Sequence, residues 1–123
     1  MSNNIDIHAD VAKNRLYIVL DGFFADDVLV KAADKTIEEA KKLKPGFDVI
    51  NDIRGFKPAS PKGAEEIKRA QVFIMQNGVR KTVRVVGDAV LAEAQFERQA
   101  KSSGLNALSA ATVEQAEKML DAK

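Results

Sequence analysis

Cysteine is absent from the 123 residues, which excludes disulfides, thiolate zinc sites and cysteine nucleophiles. Tryptophan is missing too, and histidine occurs once. A lone His8 has no second histidine to share a metal and no matched serine for a catalytic triad. Neither sign of charge dominates. Lys and Arg number 19 against 18 Asp and Glu, so no global field favours nucleic acid or an anionic membrane. No apolar run reaches the roughly 20 residues of a membrane span, and Met1 to Asn4 does not resemble the start of a secretory signal. The expectation is a cytoplasmic chain with neither nucleic acid nor membrane as partner. Nucleophile-elbow, Walker and dinucleotide fingerprints are lacking as well, so the sequence reads as non-enzymatic.

Apolar residues make up 46% of the chain and charged residues 30%, the balance of a soluble globular domain. The length suits one hydrophobic core rather than two, hence a single domain over 1–123. Ile5, Ile7, Ala9 and Val11 alternate with Asp6, His8 and Asp10, the period of a strand with one wet face. "AKNR" reads as a turn, and "LYIVL" (16–20) as a better buried second strand of an antiparallel hairpin. From Asp26 the period becomes helical, with Leu29, Ala33, Ile37, Ala40 and Leu43 on one side until Pro45-Gly46. A third strand (48–53) and a second helix (61–77, closed by Gly78) follow. Then come a strand at 82–86, a helix from Asp88 to about Ser102, a short strand at 105–108 and a last helix. In that helix Thr112 and Gln115 have capping-box spacing. Strands alternating with helices in this order predict an α/β fold. Its single mixed, mostly parallel sheet carries an N-terminal β-hairpin and about four helices.

"NDIRGFKPASPKGAEEI" (51–67) is the most informative stretch. Ser60 precedes a proline at a first helical position, where a hydroxyl accepts from a backbone N–H and proline's missing donor costs nothing. This is the signature of a cap worth ~1 kcal/mol. The competing reading is a phospho-acceptor. Arg54, Lys57 and Lys62 crowd the same loop beside a helix N-terminus, which suits an anion or an acidic partner, although three cations spread over nine positions need not converge.

Asp21, Asp52 and Asp88 each sit at or just past the end of a predicted strand, and in a parallel sheet such ends share one edge. Together they have the oxygen chemistry for Mg²⁺. Each also has an ordinary role, Asp88 as a helix cap and the other two in turns beside Gly22 and Gly55. No phosphate-binding glycine motif accompanies them, so neither metal nor cofactor is expected. In the second helix Ala64, Ile67, Ala70 or Gln71, and Ile74 form the inward stripe. The run "VFIM" sweeps about 300° of helix surface, more than one stripe needs. Val72, Phe73 and Met75 therefore cover a neighbouring element or form an apolar patch for a partner or a second copy of the chain. Phe23 and Phe24 raise the same alternative at the end of the hairpin, as a plug for the sheet edge or as a seat for an apolar ligand.

With these elements placed, the chain resembles the STAS domain, the SpoIIAA-like fold of bacterial anti-sigma-factor antagonists. "LYIVLDGFF" looks like that family's second strand, "VINDIRGF" like its third, and "SSGLNALSAATVEQAEKML" like its C-terminal strand and helix. The resemblance implies regulation by protein–protein contact through the segment 51–67. Its expected contact residues are Asp52, Arg54, Gly55, Lys57, Ser60, Lys62 and Gly63, and its partner a regulatory protein related to the anti-sigma kinases. Phosphorylated members of the family carry a hydroxyl where the second helix begins. Here the matching tetrapeptide is Ser60-Pro61-Lys62-Gly63, with Lys62 at the acceptor position and Ser60 where the family has aspartate. Phosphorylation at the usual place is therefore not expected. Two other readings stand beside this one. The first is a carrier of a small apolar or anionic ligand between Phe23-Phe24 and the loop. The second is an Mg²⁺-dependent phosphoryl enzyme built on the three aspartates.

Overall fold

A computed structural model describes residues 4–88 and 90–122. Two antiparallel strands, β1 (Asn4–Asp10) and β2 (Arg15–Asp21), form the hairpin, turning at Asn14 with its φ of 54°. Then follow α1 (Asp26–Ala40), β3 (Asp48–Asp52), α2 (Pro61–Gln76), β4 (Lys81–Val85), α3 (Val90–Ser103), β5 (Leu108–Ala110) and α4 (Val113–Asp121). The strands lie in one sheet in sequence order, β1-β2-β3-β4-β5, with every pair after the first parallel. This is the mixed α/β sheet that the pattern predicts. None of the described helices is long and apolar enough to cross a membrane.

Strand parity divides the core into two layers, because successive side chains point to opposite faces. Leu16, Ile18, Leu20 and Val49 pack beneath α1, α2 and α3, against Leu29, Ile67, Ile74 and Phe96. On the other face Ile50, Val83, Val85 and Ala110 receive Ala116 and Leu120 of α4. That helix is fastened by charge as well as by apolar contact. Arg15, 5% exposed, donates to Glu117 (2.5 Å) and Asp121 (2.9 Å). Arg80 forks onto Asp48 (2.7 and 3.0 Å) and also donates to the Leu120 carbonyl. On the opposite face, the buried Glu39 of α1 accepts from the Ala9 N–H, so the helix grips the edge strand. A hydrogen bond from Lys42 outweighs burial there and, with Ala9 and Lys35, lowers the Glu39 carboxyl to about 2.

Three details depart from the sequence expectation. The last strand forms at Leu108–Ala110 rather than 105–108, because Leu105 is drawn into the core and its N–H closes on the Ala100 carbonyl. Val11 lies in the hairpin turn and is exposed instead of extending the apolar face of β1. The Gln115 N–H does donate to Thr112 Oγ1 (3.1 Å), but the Gln115 side chain reaches Ala111 N–H (2.8 Å) instead of completing the reciprocal box on Thr112. Asp88 precedes α3, and Ala89 between them lies outside the described residues.

Candidate functional site at the C-terminal edge of the sheet

The C-terminal ends of β2, β3 and β4 open on one edge, and the segment 53–60 is laid across it. It is tied at three separate places. Gly22 N–H donates to the Gly55 carbonyl and Lys57 N–H to the Gly22 carbonyl, each at 2.9 Å, which extends the β2–β3 pairing past the strand ends. The Gln95 side chain of α3 clasps Ala59 on both backbone groups, accepting from its N–H and donating to its carbonyl at 2.8 Å each. Ser60 then joins α2 to α1. Its hydroxyl accepts from Gly63 N–H (3.0 Å) and donates to Asp26 in the first turn of α1 (2.5 Å). Phe56 pins the centre from below, 5% exposed, with ring centroids 6.3 Å from Phe24 and 5.3 Å from Phe96.

Two glycines allow this close fit. A Cβ on Gly55 would fall 1.8 Å from Asp21 Oδ1, and one on Gly63 would fall 2.7 Å from Leu29 Cδ1. Gly63 is accordingly buried, so it supports the loop and presents nothing to a partner.

The charged residues of the loop do not act as one group. Arg54 folds back onto the buried Asp52 in a bidentate pair (Nε–Oδ1 3.0 Å, Nη2–Oδ2 2.8 Å), whose hydrogen bonds raise the guanidinium pKa above its ordinary value. Both Asp52 oxygens are thereby engaged, and among the described residues no group of three acidic or histidine side chains is arranged to hold a metal. Lys57 and Lys62 are exposed and make no ion pair among the described residues. The positive end of α2 is already met by Ser60 and, through it, by the Asp26 carboxylate. A free anion would compete with a fixed one there.

Ser60 is therefore a helix cap in the geometric sense, with both hydrogen-bonding roles of its hydroxyl in use. Ser60→Ala is expected to cost about 1–2 kcal/mol in urea unfolding. Ser60→Asp should be no better, because it sets a second carboxylate against Asp26. A Ser60→Ala protein as stable as the parent would contradict this role.

The predicted apolar patch does not form. Phe24 is in the core, stacked on Phe56. Val72 and Phe73 are half-buried, and Phe73 packs on the core with Lys41 Nζ 6.0 Å from its ring. Met75 is exposed near Gly104. Phe23 stands just before the start of α1, whereas Lys41, next to Phe73, follows its end, so the length of a 15-residue helix separates the two groups. The Phe23-Phe24 segment and the loop are joined next to Phe23 by the Gly22–Gly55–Lys57 backbone bridge, and a depression beside it is lined by Asp21, Asp52, Arg54 and Gly55. His8, the single histidine, stacks on Tyr17 (centroids 5.1 Å, 14°) and contacts Asp6 at 3.1 Å.

Sequence reasoning passed over two residues on this edge. Val90 and Leu91, both 73% exposed, open α3 directly after β4. Ala92, Phe96 and Ala100 form the inward stripe of α3, and at 100° per residue the two preceding positions fall outside it. That offset is legible in the sequence. Lys57 N–H donates to Gly22, the neighbour of Phe23, and Arg54 lies against Gly87, three residues before Val90, so the segments after β2, β3 and β4 meet at this edge. The segments at this edge carry the exposed apolar side chains Phe23, Val90 and Leu91 and the exposed cations Arg54, Lys57 and Lys62. No protein-family model matches the chain, and none of the curated proteins compared with it is detectably similar.

Proposed function

We propose that this chain is a STAS-type, non-enzymatic regulatory module of the cytoplasm. On this reading it binds a protein partner through the C-terminal edge of its sheet, as the anti-sigma-factor antagonists do. The observation that carries the reading is the immobilised segment 53–60. A loop tied at Gly22, Gln95 and Asp26 loses little conformational freedom on docking, so its contacts go into affinity rather than ordering. Phe23, Val90 and Leu91 supply an apolar centre, and Lys57 and Lys62 a basic rim that selects an acidic partner surface. Such a partner includes a regulator related to the anti-sigma kinases. The switch is not phosphorylation of Ser60, because that hydroxyl holds two helices together.

The contact set differs from the one expected of the family resemblance. Lys57 and Lys62 remain as contacts, Asp52, Ser60 and Gly63 become supports, and Arg54 is shared with Asp52. The test is affinity capture with the wild-type chain from the host extract, followed by titration of the captured protein. Lys57→Glu with Lys62→Glu should weaken binding at least tenfold and leave Tm within about 2 °C, since rim charges set association and not folding. Undiminished affinity in that variant would refute the docking face.

A further inference from the structure

Inside the fold, between the sheet and α1–α2, lies a cavity of about 50 Å³. Most of its wall is aliphatic, including Ile18, Leu29, Val49 and Ile67. Six polar side chains interrupt that wall, of which Thr36 donates to the Ala32 carbonyl and Glu66 is paired with Arg69, leaving Asn51, Gln71, Thr82 and Arg84, exposed by 8, 6, 5 and 1%. Each of these four has a buried atom without a hydrogen-bond partner in the protein, namely Asn51 Oδ1, Gln71 Oε1, Thr82 Oγ1 and Arg84 Nη2. They are neighbours. Asn51 and Arg84 are register partners on β3 and β4, Thr82 is on the same face two residues before Arg84, and Gln71 comes from α2 above. Leaving one buried polar atom unsatisfied is costly, and native folds hold few such atoms. Of the six in the described residues, four line this one cavity.

We infer that this cavity is a binding site for the head of a small neutral amphiphile, one group that both donates and accepts hydrogen bonds on a short aliphatic stem. Arg84 Nη2 donates, Asn51 Oδ1 and Gln71 Oε1 accept, and Thr82 Oγ1 does either. Neutrality follows from charge balance: Arg84 is already paired with Glu97 of α3 at 2.8 Å, so an added carboxylate would be a surplus buried charge. A primary amide matches the donors and acceptors. The volume is about a third of a cavity that admits benzene, so only the head and the first carbons enter. The stem would run toward the α1–α2 seam, where the small side chains Ala32, Ala33 and Ala70 line the cavity.

Propionamide, with propionate as its charged counterpart, is the probe. Titrated into ¹⁵N-labelled protein at pH 7, propionamide should shift the amides of residues 49–53, 70–74 and 82–85 saturably, with a millimolar Kd fitting its size. Propionate should not. Thr82→Val and Gln71→Leu, tested separately, should each weaken propionamide at least fivefold. Each should also raise the Tm of the ligand-free protein by ~2–4 °C, because an unsatisfied polar atom is removed. Absent or non-saturating shifts would overturn the inference, as would preference for propionate or affinity untouched in both variants. Any of these results would make the cavity a water-filled interior feature only. Lys57→Glu with Lys62→Glu should leave propionamide binding intact, so this outcome and that of the docking face are read separately.

Discussion

Phe56→Ala is expected to destabilise the protein by about 3 kcal/mol and to lower Tm by ~10 °C. The ring is buried between Phe24 and Phe96, and its loss removes transfer free energy and leaves a void beneath the loop. The value is set at the low end of the range for phenylalanine because a loop position collapses more readily than a strand. Phe56→Leu, which refills most of the space, should cost roughly 1 kcal/mol. The functional consequence is separable from the stability loss. At temperatures where Phe56→Ala remains folded, its affinity for the proposed partner should still fall, because the segment 53–60 has lost its anchor. Lys57→Ala, one residue away and exposed, should change stability by less than about 0.5 kcal/mol. Urea denaturation of the three variants measures the series, and a Phe56→Ala cost below that of Phe56→Leu would contradict the packing.

Arg15→Ala is expected to cost roughly 2–3 kcal/mol. Breaking a fully buried pair costs more, but Glu117 and Asp121 are partly open to water, which reduces the penalty. The change leaves Glu117, Tyr17 and Asp48 without the guanidinium that joins them and frees the end of α4 from the sheet. The double substitution Arg15→Met with Glu117→Leu should recover most of the loss, since two apolar side chains replace the pair, the buried Asp48 keeps Arg80, and the Asp121 carboxylate left over is exposed. If the double variant were as unstable as the sum of the two single changes, the charges themselves would be indispensable. Calorimetric melting of the four proteins decides.

How much of this was written in the sequence depends on how local each cause is. The cap at Ser60, the end of α2 near Gly78 and the strand–helix order are set by near neighbours, and the structure has them where the pattern puts them. Gln71 rather than Ala70 completes the inward stripe of α2, a choice the sequence left open. Long-range partners were not legible. Nothing near Gln95 announces that it will clasp Ala59, and nothing near Arg15 announces Glu117, 102 positions on. Thr82 and Arg84 alternate with valines in the manner of a wet strand face, yet both are buried, because helices cover each side of β4. Phe24 and Phe23 are adjacent and chemically identical. Only the tertiary fold sends one inward.

The central claim is that the segment joining β3 to α2 is rigid before any partner arrives. Amide hydrogen exchange of the free protein tests it most directly. The N–H groups of Phe56, Lys57, Ala59 and Gly63 each donate to a fixed acceptor, on Ile53, Gly22, Gln95 and Ser60 respectively. All four should exchange at least a hundredfold more slowly than an unstructured chain, and those of Lys57 and Ala59 should be slowed nearly as much as the amides of β3. Exchange of these amides at the rate of an unstructured chain would contradict the account.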